Sequence, residues 1–309
     1  MKDIRELLGI EYPIIQGGMA HIATHELAAA VSNAGGLGLI GAGGWDVNHV
    51  RDEVRKTKAL TAKVFGVNIM LMSPHAAAIS DMVIEEGVKV VTTGAGNPGV
   101  YMEKWKKAGI IVIPVVPSVA FAKRLARGGA DALVVEGTEA GGHIGQITTF
   151  TLVPQVVDVV DIPVIAAGGI ADSRGLDAAF ALGAKGVQIG TVLLASDECP
   201  IHINYKNKVV KAKDTDTVVT GRATGAPVRV LKNPMSKKYL EMTKYGDIGF
   251  EELELLTLGS LKKAVFEGDV INGSLMAGQS AGLVKKIRPI QEILDDIFLN
   301  SRVYKGERL

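Results

Sequence analysis

Short apolar runs recur along the first two thirds of the chain with helix-like stretches between them, and this alternation constrains the fold more than anything else in the sequence. The runs fall at 12–16, 37–41, 64–69, 88–92, 110–116, 132–135, 163–166 and 186–189. Ile110, Ile111, Val112 and Ile113 are apolar at consecutive positions, as expected of a parallel strand buried on both faces. About eight such strands alternating with helices predict an α/β fold of the (β/α)8 TIM-barrel type.

The intervening segments carry helical signals. In 47–60, Val47, Val50, Val54 and Leu60 fall near one face, with Arg51, Asp52, Arg55 and Lys56 elsewhere. Asn97 followed by Pro98 reads as an N-cap with proline in the first helical position. After Thr191 the alternation stops, and helical patterns return near Leu253. The expected organisation is a barrel from 1–198 and 265–309 with a smaller inserted domain at 199–264, after the eighth strand. A length of 309 residues suits one barrel with such an insertion.

Charge is uneven. Between 201 and 245 stand ten Lys or Arg against three acids, an excess of seven in a chain whose formal charge is +1. Such a stretch attracts acidic partners and phosphates, unless its charges are balanced across the fold as a solvated face. The charged start lacks the apolar segment of a signal peptide, and the longest apolar run, 110–122, is too short for a membrane span and is broken by Pro114 and Pro117. A single Cys199 permits no internal disulfide and fits a reducing compartment. A cytoplasmic enzyme without a membrane or nucleic-acid partner is the expectation. The histidines are scattered; His21, His25, His49, His75 and His202 receive no role, and no metal site is expected.

Glycine occupies 37 positions, well above the usual share of about 7%. Many sit just after the strand runs, where barrels of this type place their active sites: Gly17, Gly18 and Met19 after the first, Gly141, Gly142 and His143 after the sixth, Gly168 and Gly169 after the seventh, Gly190 and Thr191 after the eighth. The loops after strands seven and eight are the fold's usual phosphate site, with glycine amides and a following helix N-terminus facing the anion. That pattern predicts a phosphorylated ligand without separating a cofactor from a phosphosugar. At the strand ends no lysine suits a Schiff base, no cysteine is a nucleophile and no carboxylates pair; Asn68, Glu136 and His143 remain. A mouth rich in backbone donors and poor in nucleophiles suits a cofactor that brings its own reactive atom. His143, in a glycine-rich loop that no apolar periodicity claims, is the candidate proton donor or acceptor. Glu136 reads equally as a cofactor contact or as a buried acid paired with backbone amides. Asn68 reads as a cofactor or substrate contact, or as a loop cap.

The motifs Gln16-Gly17-Gly18-Met19-Ala20, Phe65-Gly66-Val67-Asn68, Glu139-Ala140-Gly141-Gly142-His143-Ile144-Gly145, Ala166-Ala167-Gly168-Gly169-Ile170, Gln188-Ile189-Gly190-Thr191 and Met276-Ala277-Gly278-Gln279 together resemble the nitronate monooxygenase-like flavoprotein family. Within it, 68–74, 92–98 and 142–145 look most like the FMN-dependent enoyl-acyl-carrier-protein reductases of type II. The resemblance implies FMN, with NADH or NADPH as co-substrate, reducing a trans-2-enoyl thioester in bacterial fatty acid elongation. It further implies His143 beside the flavin as the catalytic residue. Gly168, Gly169, Gly190 and Thr191 would lie at the flavin phosphate, and Gly18, Met19, Asn68, Glu136, Gly142, Ala167, Gln188 and Gln279 elsewhere along the cofactor. An acidic acyl carrier protein would dock on the basic 201–245 stretch, and a homodimer is the expected assembly. Such reductases also respond to monovalent cations, for which no side-chain cluster is evident here. The alternative within the same motifs is a nitronate monooxygenase using oxygen, with His143 as base.

Overall fold

The structure, a computed structural model, describes residues 3–244 and 250–307. All eight expected runs are strands, most of them displaced by one or two residues toward their C-terminal ends: β1 Ile14–Gln16, β2 Gly38–Gly41, β3 Phe65–Met70, β4 Val90–Gly94, β5 Ile111–Val116, β6 Leu133–Glu136, and, after a two-residue β7 at Gly142–His143, β8 Val164–Ala167 and β9 Gly186–Ile189. Apart from β7 they form one parallel sheet in the order β2, β3, β4, β5, β6, β8, β9, β1. A parallel bridge between Ile15 and Leu37 closes it, with Gln16 N donating to Leu37 O at 2.9 Å. At this seam the buried Gln16 amide acts like an extra peptide unit, donating to Leu39 O (2.8 Å) and accepting from Leu39 N (3.3 Å). The fold is a (β/α)8 barrel.

Alternation along the strands sorts the core into layers. Ile15, Leu39, Val90, Ile113, Val134 and Ile165 form one cluster inside the barrel. Leu133, Val135, Val164, Ala166 and Val187, at the intervening positions, pack outward with helix residues such as Leu152, Val156 and Leu176. One helix comes unusually near the sheet: a Cβ on Gly38 would lie 1.8 Å from Ala28 O of the helix His25–Asn33.

Two helical expectations shift. The helix Val47–Leu60 forms as expected, but Leu60 is 53% exposed, because the inward face runs through Val50, Val54 and Thr57. The helix after β4 spans Gly99–Lys107, so Pro98 occupies the cap position and the Asn97 side chain accepts from Gly99 N at 3.1 Å. Among the described residues no helix is long and apolar enough to cross a membrane.

Between 199 and 264 lie the helix Ile203–Val210, a hairpin of β10 (Thr217–Thr220) and β11 (Val228–Leu231), and the helices Pro234–Lys244 and Phe250–Thr257. Cys199, Tyr205, Val209 and Leu231 share a buried cluster with Val187 and Ile189 of the barrel. Burial pushes the Cys199 thiol up to about 11, leaving it unreactive. Two of the ten basic residues are internal and lend no charge to a surface. Lys206 donates to Ser196 O (2.6 Å) and Asp197 O (3.2 Å), and Arg229 donates to Thr138 O (3.0 Å) and Thr217 Oγ1 (3.1 Å).

Because neither the Ala28 carbonyl nor the strand can yield easily, Gly38→Ala should cost about 3 kcal/mol or more in urea unfolding; a loss below about 1 kcal/mol would show that the helix can move aside.

Candidate functional site

Strand register puts the expected residues at the C-terminal mouth. Glu136 pairs with Ala167, Ala167 with Gln188, and Gln188 with Ile15. Since Ile15, Val134 and Ile165 face the barrel interior, alternation points Glu136, Ala167 and Gln188 inward in one layer. Across the barrel Gly41, Asn68 and Thr92 form a matching row. Thr92 Oγ1 donates to Asn68 Oδ1 at 2.9 Å, which orients the amide and leaves its NH2 group to face the mouth.

Burial raises the Glu136 carboxyl to about 8, and no described group pairs with it. The acid is therefore protonated at neutral pH and can donate a hydrogen bond. Of the two readings left open for this residue, pairing with backbone amides is not what the structure shows.

The glycine loops meet at the rim. Gly18 lies against Asn68, where a Cβ would fall 2.1 Å from Cγ, and Met19 Sδ approaches the Cβ position of Gly190 at 3.4 Å. Gly168, at φ +102°, turns the chain where an added Cβ would stand 2.7 Å from Thr149 Oγ1, so only glycine fits. The amides of Gly169, Thr191 and Val192 donate to no group among the described residues. Thr191 and Val192 open the short 3-10 helix Thr191–Ala195, whose N-terminus has no side-chain cap.

That helix, not the one after β8, offers the free N-terminus. The helix Ser173–Ala181 is capped by its own Asp172, which accepts from Arg174 N and Gly175 N. A nest of unpaired amides beside a glycine turn is the donor set an anionic phosphate requires, with no lysine needed.

Two residues not singled out from sequence hold this rim together. Glu139 accepts from Thr149 N (3.0 and 2.9 Å) and Thr149 Oγ1, and its carbonyl accepts from Gln279 N. The Thr149 hydroxyl lies 3.1 Å from both Ala167 O and Gly168 O. Thr191 Oγ1 accepts from Gly278 N at 2.9 Å, joining the segment before Gln279 to the loop after β9. A capping carboxylate ten residues ahead of its helix is a long-range contact that no local sequence signal encodes.

His143 is placed differently from the expectation. The loop at 141–145 is partly β7, which pairs antiparallel with β11: His143 opposite Val228, Gly142 opposite Arg229. Gly142 holds φ +76°, and Met276 Sδ sits 3.6 Å from where its Cβ would be. The residues of β11 thus grip the candidate histidine by its backbone while Arg229 anchors Thr138 of the same loop. His143 is exposed, partial desolvation lowers its pKa from the ordinary histidine value, and no described side chain bonds its ring. It belongs to the smaller sheet and shares no hydrogen bond with Asn68, Glu136 or Gln188.

One group of potential metal ligands occurs among the described residues: His25, Glu26 and Glu53. His25 Nδ1 and the backbone N of His25 both bond Glu53, which accounts for the cluster without an ion.

Among the described residues the mouth offers backbone anion donors, inward amides and a buried acid but no nucleophile, which suits a cofactor that brings its own reactive atom; by its family and relatives this chain is a flavin-dependent oxidoreductase. It belongs to the nitronate monooxygenase family, whose pattern it matches over residues 2–300. It is 50% identical to FabK from Thermotoga maritima, whose solved structure superposes with a TM-score of 0.94 over 98% of this chain and 96% of that one. It is 38% identical to a probable nitronate monooxygenase of Staphylococcus saprophyticus, covering 90% of this chain and 92% of that protein. A third relative, (3aS,4S,5R,7aS)-5-hydroxy-7a-methyl-1-oxo-octahydro-1H-indene-4-carboxyl-CoA dehydrogenase of Rhodococcus jostii, is 33% identical over 95% of this chain and 94% of its own length.

Because Glu136 binds its proton more tightly folded than unfolded, its contribution to stability is present at low pH and is lost as pH rises from about 4.5 to about 8. Urea midpoints should therefore fall over that range more steeply for the parent than for Glu136→Gln, and equal slopes would remove the protonated acid.

Proposed function

We propose that this protein reduces trans-2-enoyl thioesters of an acyl carrier protein to the saturated acyl form, using NADH or NADPH and bound FMN. The observation that carries the reading is His143, fixed by β11 at the rim of a mouth that contributes donors but no nucleophile. The 50% identity to FabK favours the thioester over other flavin substrates. In this reading residues 199–264 form an insertion serving substrate and partner, on a barrel of 1–198 and 265–309. Exposed Lys237 and Lys238 face an acidic carrier protein.

The FMN phosphate would lie on the amides of Gly169, Thr191 and Val192, in the turn made by Gly168 and Gly190. Asn68, Gln188, protonated Glu136 and Ala167 would line the cofactor from below, with Gly18, Met19, Gly142 and Gln279 around it. FMN held there would supply the hydride for the β-carbon, drawn in turn from NADH or NADPH. His143, neutral at neutral pH, donates its ring N–H to the thioester carbonyl oxygen, which draws charge away from the β-carbon. It then relays a solvent proton to the α-carbon of the resulting enolate, taking one up as it gives one, so its own charge is unchanged and hydride plus proton complete the reduction. Pairing of β7 with β11 keeps the ring placed without a carboxylate partner that would raise its pKa.

A second reading, nitronate oxidation with oxygen, rests on the similarity to the staphylococcal protein and would use His143 as base. Purified enzyme given crotonyl thioester should consume NADH or NADPH; oxygen uptake with an alkyl nitronate and indifference to the thioester would decide for the second reading. His143→Ala should retain yellow flavin and lose about 10²- to 10⁴-fold in turnover. Full turnover with flavin retained would remove the histidine from the chemistry.

A further inference from the structure

The helix Ile203–Val210 divides its faces by period. Tyr205, Lys206 and Val209 turn inward, where the Tyr205 hydroxyl donates to Met276 O at 2.7 Å and Lys206 is tied to backbone carbonyls. Asn204, Asn207, Lys208 and Lys211, spaced three, four and seven apart, form the opposite stripe. That stripe lines a cleft of about 660 Å³ whose other wall includes Asp216, Leu231 and Lys232. Among the described residues none of the Lys208, Lys211 and Lys232 ammonium groups has a carboxylate partner, and the Asp216 carboxylate accepts from Lys213 N. Three unpaired ammonium groups face one engaged acid. The volume is that of a small-molecule site, larger than a bare anion needs.

The cleft and the candidate catalytic residue share one strand. Val228 of β11 pairs with His143, and Leu231 and Lys232 at the other end enter the cleft. The strand's rise puts Lys232 roughly 13 Å along from the histidine pairing. Lys232 N donates to Asp216 O at 2.8 Å, which fixes that end of the strand to the cleft wall.

We propose that this cleft binds the phosphate of the substrate's phosphopantetheine arm while the thioester lies at His143. The proposal rests on the thioester reading above and deepens it. A phosphopantetheine thioester has its reactive carbonyl and its anion at opposite ends of a long, polar, unbranched arm. β11 runs between a matching pair of sites: the histidine at one end and, at the other, the cleft with its unpaired ammonium groups and the Asn207 amide, the Asn204 amide being engaged by Gly268 O at 3.2 Å. The arm's phosphate is common to a carrier protein and to coenzyme A, so both forms are substrates of the cleft.

The test is the triple variant K208Q/K211Q/K232Q, whose changed side chains are all exposed. Steady-state kinetics would compare crotonyl-carrier protein, crotonyl-coenzyme A and the phosphate-free crotonyl N-acetylcysteamine thioester. The expected result is a rise in KM of about tenfold or more for the first two, with kcat and the N-acetylcysteamine KM unchanged. Calorimetry on the parent flavoprotein should show 4′-phosphopantetheine binding more tightly than pantetheine, a difference the variant abolishes. An unchanged KM for both phosphate-bearing thioesters, or equal binding of pantetheine and its phosphate, would overturn the proposal. So would a rise for the carrier protein alone, which marks protein docking, or for NADPH, which gives the cleft to the nicotinamide. If no enoyl thioester is turned over, the reductase reading fails by itself and the calorimetry still decides the cleft.

Discussion

The pairing of β7 with β11 is the contact on which the arrangement of the mouth depends. A glycine-rich loop after a barrel strand has no intrinsic shape, and a histidine within it would wander over several ångströms. Antiparallel pairing with Val228 and Arg229 converts two residues of that loop into strand, and the Arg229 guanidinium fastens its beginning through Thr138 O. Gly142 makes this possible, since the backbone bends there through a positive φ that a side chain would resist. The segment outside the regular βα alternation thus supports the barrel's rim as well as its own surface.

A second set of contacts shapes the proposed phosphate cradle. Glu139 caps the helix Thr149–Val157 from the loop after β6, and the Thr149 hydroxyl reaches the carbonyls of Ala167 and Gly168. The loops after β6 and β8 are thus joined through one carboxylate and one hydroxyl. Those bonds leave the amides of Gly169, Thr191 and Val192 pointing at no protein acceptor, a costly arrangement for backbone donors unless an anion or water completes it. Deeper in the mouth, Glu136 is kept neutral by burial, so an inward row that could carry negative charge instead carries a donor.

Some of this was legible in the chain. Eight apolar runs at βα spacing are a direct consequence of burying parallel strands on both faces, and every one became a strand. Strand ends followed from the runs, which is why Asn68 and Gln188 fall near the C-terminal ends of their strands and Gly168 just beyond β8. Boundaries slipped where neighbours decided them: Leu60 lies outside the inward stripe, and Pro98 stands one place earlier relative to its helix. The charge count at 201–245 overstated the surface, because composition cannot distinguish an exposed lysine from Lys206, whose ammonium group is satisfied by two carbonyls.

What the sequence determined by itself was the period: alternate burial of strands and helices, glycine wherever the chain must turn at the mouth, and the absence of a nucleophile among the strand ends. These are local properties, set by each residue's size, polarity and backbone freedom. Tertiary structure alone decided that His143 would join a sheet with β11, that Glu139 would cap a helix ten residues on, and that Glu136 would stay protonated. The first and last depend on groups brought together from distant parts of the chain, the second on how the intervening loop folds back, and the energy of such contacts is fixed only once the barrel has closed.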